Sequence, residues 1–73
     1  MTGYSVMIED IKEYLKKNGW STIEDILENV PSAREHYANP KPSLRATLRE
    51  KWNEHWVECK RGKEFRTILY KLK

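Results

Sequence analysis

The sequence has little of what most active sites and membrane segments are made from. Cys59 is the only cysteine, so no disulfide can form within the chain. Its companions as soft metal ligands are His36 and His55, and His55-x-x-x-Cys59 has no second pair to close a zinc site. Glycines number three and stand apart, which excludes a glycine-rich phosphate loop. No apolar run approaches the roughly 20 residues that span a bilayer. The opening MTGYSVMIED has no basic stretch and turns acidic at once, so a secretory signal is not expected. Acidic residues are plentiful but fall on helix exteriors, with no cluster to act as general acid or base. We expect no enzyme, no cofactor and no metal. A reducing interior is the simplest home for the chain: the cytoplasm, or the nucleus or nucleoid if it is bound to DNA.

What is present is one domain's worth of chain. Its 73 residues can bury only about 60% of the unfolded surface. Three tryptophans, four tyrosines and a phenylalanine supply the bulk of a small core. Charge is divided unevenly. Residues 1–37 hold four basic and seven acidic side chains, a balance of −3, and residues 38–73 hold ten and four, a balance of +6. Clustered cations of this kind suit a polyanion, because each neutralised phosphate releases counterions.

Apolar spacing predicts a first helix over Val6–Asn18, capped by Ser5, stopped by Gly19, with Ile8, Ile11, Tyr14 and Leu15 inward. Trp20 follows in a short extended bridge and is read as core. Ser21 and Glu24 form a capping box for a second helix, with Ile23, Ile26, Leu27 and Val30 inward and Pro31 closing it. Ser32 and Glu35 allow one or two helical turns over Ala33–Tyr37. Ala38–Pro42 reads as a loop, since a residue before proline is pushed towards extended geometry. A third helix runs from Ser43 to about His55. Leu44, Leu48 and Trp52 point inward, Ala46, Arg49, Glu50 and Asn53 outward, and Arg45 lies on the flank. The period then changes to two. Val57 and Cys59 point inward, Arg61-Gly62-Lys63 turns, and Ile68, Tyr70 and Leu72 return, with Phe65 and Leu69 on the second face.

In the stretch SLRATLREKWNEHWVECKRGKEFRTILYKL, a helix carrying S-L-R-x-x-L-R leads straight into a strand, a glycine turn and a closing strand with Y-x-L. By this stretch and by the order of its elements, the chain resembles the winged helix-turn-helix superfamily from about Val6 to Leu72. The resemblance implies an α+β fold of three helices and a C-terminal two-stranded wing. It also implies double-stranded DNA as partner, with the third helix in the major groove and the wing on the backbone or minor groove. A transcriptional or accessory regulator is the expected role.

The residue types fit that chemistry. Arg45 and Arg49 are planar donors for a guanine edge or a phosphate. Asn53 is of the type that pairs with adenine. Ser43 and Thr47 are short donors for phosphate oxygens near the helix start, which Lys41 precedes. Lys60, Arg61, Lys63 and Arg66 gather about the wing turn as backbone contacts. Glu50 either repels phosphate or accepts from a cytosine amino group. The alternative is a protein-interaction module on the same fold. Its acidic first half (Glu9, Asp10, Glu13, Glu24, Asp25, Glu28) would then meet a basic partner such as a nucleic-acid enzyme. A lone domain of this size needs a homodimer or a larger partner for useful site specificity.

Overall fold

The computed structural model describes residues 3–51, 53–63 and 67–73. Expectations for Trp52, Phe65 and Arg66 lie outside these. The described chain is α+β: helices α1 (Tyr4–Asn18), α2 (Ile23–Asn29), α3 (Pro31–His36) and α4 (Pro40–Arg49), a 3-10 turn at Asn53–His55, then strands β1 (Val57–Arg61) and β2 (Ile68–Leu72). None of these helices is long and apolar enough to cross a membrane.

The expected apolar stripes meet in one core. Met7, Ile8, Ile11 and Leu15 of α1 pack with Ile23, Ile26 and Leu27 of α2, with Val30 and Ala33, with Leu44 and Leu48 of α4, and with Val57 and Tyr70 of the hairpin. Tyr14 is only half-buried. Helix α1 ends where Gly19 takes φ +69° and gives its N–H to the Leu15 carbonyl at 2.8 Å. A side chain there would be strained.

Local boundaries differ from expectation for identifiable reasons. Helix α1 begins at Tyr4 with Gly3 as its cap, ahead of Ser5. The capping box on α2 is Thr22 with Asp25 (3.1 and 3.2 Å), one residue later than Ser21 with Glu24. Ser21 is occupied elsewhere, because its N–H and C=O both bond to Tyr70 at 2.8 Å. Pro31 opens α3 rather than merely closing α2, and Pro40 opens α4 three residues before Ser43. Proline is tolerated in a first turn, where its missing N–H has no acceptor to lose. Asn39 is non-helical before Pro40, as the rule requires, whereas Lys41 before Pro42 is helical.

The hairpin pairs antiparallel, Val57 with Leu72, Cys59 with Tyr70 and Arg61 with Ile68. Ser21 bridges the other side of β2, giving the order Ser21, β2, β1. The helices cover β2 and leave most of β1 in solvent. Cys59 is therefore exposed, against the expectation of a small core residue. Its alternation sets it on the face of Tyr70, but no helix reaches over the outer strand. Trp20, also expected in the core, is 36% exposed. The extended bridge forms at Ser21 and turns the indole outward, beneath the ammonium groups of Lys60 (4.4 Å from the ring centre) and Lys71 (5.4 Å).

Candidate nucleic-acid interface

Helix α4 begins at Pro40, so Lys41 becomes part of it. Lys41, Arg45 and Arg49 then recur every four residues, and all three are exposed. Leu44 and Leu48, on the adjoining face, are buried and hold the helix against the core. The stripe faces the hairpin. Lys41, Pro42 and Arg45 form one wall of a groove of about 250 Å³; Thr67, Ile68 and Tyr70 form another, and Ile23 and Glu24 of α2 close it. Lys41 makes an exposed ion pair with Glu24 at 3.6 Å. Among the described residues, Arg45 and Arg49 have no carboxylate partner.

Tyr70 ties the stripe to the hairpin electrostatically. Its ring is buried and its hydroxyl has no hydrogen-bond partner among the described residues. Burial pushes the phenol above its ordinary value and the Cys59 thiol adds to the rise. The guanidiniums of Arg45 and Arg49 pull the other way. Arg45 lines the same groove as Tyr70.

Two expected contact residues are not on this surface. Thr47 is buried and its hydroxyl shares a hydrogen bond with that of Tyr37. Asn53 is completely buried. Helix α4 stops at Arg49, six residues short of the expected His55, because Glu50 turns to extended geometry (φ −65°, ψ 139°). Past that turn, Asn53 folds back. Its amide donates to the Thr47 carbonyl (2.5 Å) and the Tyr4 hydroxyl (3.0 Å), and its oxygen accepts from the Trp56 indole (3.2 Å). The Thr47 carbonyl, near the open end of α4, accepts a long bond from the Glu50 N–H (3.3 Å), and Asn53 supplies a second donor. Burial raises the Tyr4 phenol, an effect that the Asn53 hydrogen bond opposes. Tyr4, Tyr37 and Trp56, which had no role in sequence, thereby fix the end of α4 against α1 and β1. The readable signal was an asparagine shortly after an amphipathic run, where a terminating cap is as natural as a base contact.

The cations about the hairpin divide between two faces. Arg61 lies opposite Ile68, on the same face as the groove. Lys60 lies on the other face, over Trp20. Lys63 is exposed just beyond Gly62, whose N–H closes the hairpin on the Thr67 carbonyl at 2.7 Å. Ser43 is half-buried in the first turns of α4. No family model, curated protein or solved structure matches the chain.

Proposed function

We propose that the protein binds double-stranded DNA as a winged helix, with α4 in the major groove and the hairpin as the wing. The observation that carries this is the exposed stripe Lys41, Arg45, Arg49, whose two arginines have no carboxylate partner among the described residues. A helix of ten residues is about 15 Å long and fits a groove about 12 Å wide. Arg45 and Arg49 reach base edges or phosphates, and Lys41, Arg61 and Lys63 follow the backbone. The Lys41–Glu24 pair is exposed and worth little, so Lys41 can exchange its partner for a phosphate. The extended segment at Ser21 that joins the hairpin also suits the winged-helix layout. A transcriptional or accessory role follows from binding without catalysis.

A protein-interaction role through the acidic first half has weaker support. Glu9 pairs with Lys12, Glu13 with Lys17 and Glu24 with Lys41, which neutralises much of that face locally. A gel-shift titration with random duplex at two salt concentrations separates the readings. DNA binding weakens steeply with salt and is lost in Arg45→Glu/Arg49→Glu. No shift at low micromolar protein in low salt would sink the proposal.

A further inference from the structure

The outer edge of β1 points to a second copy of this chain as its partner, and we propose that two copies pair antiparallel through β1 with Cys59 at the two-fold axis. This goes beyond the DNA reading and does not depend on it.

The hydrogen-bond pattern decides which backbone groups face outward. Lys73 N–H donates to the Trp56 carbonyl at 2.9 Å and Gly62 N–H to the Thr67 carbonyl at 2.7 Å, so even-numbered residues of β1 bond across to β2. In an antiparallel ladder these alternate with residues whose N–H and C=O point away. Val57, Cys59 and Arg61 thus aim theirs at the open side, where the sheet has no further strand among the described residues. A bare row of this kind is a template for another strand. Edges are commonly guarded by like charges. This one alternates, with Glu58 and Lys60 on one face and exposed Cys59 between them.

Symmetry and charge then select the register. A two-fold axis normal to the sheet leaves every side chain on its own face, and paired residues share a face. The residue on the axis is therefore Glu58, Cys59 or Lys60 for an overlap centred on this strand. Glu58 on the axis opposes two carboxylates, and Lys60 opposes two ammonium groups. Cys59 on the axis sets each Glu58 opposite Lys60 of the second copy. It also lets the outward groups of Val57 meet those of Arg61, and those of Cys59 meet their own equivalents. Lys60 leaves the Trp20 ring to make this pair, and Lys71 remains beside the indole. The same axis keeps both helical layers on one side of the joined sheet, so the two α4 stripes face the same way.

Sedimentation equilibrium of the whole chain without DNA, from micromolar to millimolar, tests this. A reversible dimer is expected. Glu58→Lys and Lys60→Glu should each weaken it about tenfold, and the combined E58K/K60E chain should recover most of the loss, because the pairs are restored with signs exchanged. Far-UV circular dichroism confirms that each variant is folded. A short bismaleimide on the unmodified protein provides a reading that needs no substitution, since it should join Cys59 to Cys59 within the dimer. A monomer throughout, a dimer indifferent to the sign changes, or a dimer that Cys59 does not cross-link would overturn the proposal. DNA binding by a strict monomer would leave the DNA reading standing while this one fell.

Discussion

Helix α4 and the turn that follows it carry two polar groupings with opposite fates. Along its exposed face, Lys41, Arg45 and Arg49 lie in solvent, two of them without an ion-pair partner among the described residues. At its inner end, Thr47 and Asn53 are buried in a satisfied set of hydrogen bonds with Tyr4, Tyr37 and Trp56. The first grouping is open to solvent. The second fixes where the helix stops and how it is presented. Their residue types do not distinguish them, since arginine, asparagine and threonine all serve DNA contact and internal bonding. What separates them is a turn at Glu50, which sends the chain back under the helix.

Substitutions should divide along the same line. Reversing Arg45 and Arg49 to glutamate should lower duplex affinity about 100-fold or more, since each contact is worth about 1–3 kcal/mol. Thermal stability should stay within about 0.5 kcal/mol, as at other exposed sites. Asn53→Ala should do the reverse. It removes the amide donor to the Thr47 carbonyl, which keeps only the Glu50 N–H, and takes the acceptor from the Trp56 indole, and it should cost about 2–3 kcal/mol by urea unfolding. Folded Asn53→Ala protein should retain the salt dependence of the unmodified chain. An Asn53→Ala protein of full stability but poor affinity would move Asn53 back to the DNA side.

Gly19→Ala tests the frame beneath both groupings. A Cβ there meets no atom within 4 Å, so the expense is backbone strain alone at φ +69°, about 1–2 kcal/mol. Tyr70→Phe should have the smallest effect near neutral pH, because it removes a buried hydroxyl with no hydrogen-bond partner among the described residues. Its signature lies at high pH. The folded phenol sits above 10.0, so the unfolded chain loses its proton first as pH rises. The stabilising contribution is complete below pH 10 and declines as pH climbs towards the folded value. Unfolding measured above pH 10 should therefore show a shallower decline in Tyr70→Phe than in the unmodified chain. Parallel declines would remove the hydroxyl from its dry position.

Much of the fold was legible because burial follows period. Ile8, Ile11 and Leu15, then Ile23, Ile26, Leu27 and Val30, then Leu44 and Leu48 were all readable as inward and all are buried. The strands were readable from their alternation. What alternation cannot give is coverage: Cys59 shares the face of Tyr70, yet a helix lies over one and solvent over the other. Proline was misread for a related reason. Its effect depends on whether it falls in a first turn, and that is set by where the helix begins. Asn53 was misplaced because residues 43–55 contain no breaker to announce the end of α4. The outer stripe was legible in Arg45 and Arg49, and Lys41 joined it once Pro40 proved to be the helix start.

The claim at the centre is that one stripe and one hairpin face, rather than cations in general, meet the DNA. The most direct test is the slope of log affinity against log salt for single glutamine substitutions. Replacing Lys41, Arg45, Arg49 or Arg61 should each reduce that slope by about 0.9, the value for one lost phosphate contact. Lys60→Gln, on the opposite face of the hairpin, should leave it unchanged. Equal losses at all five positions, or no loss at the stripe, would contradict the account.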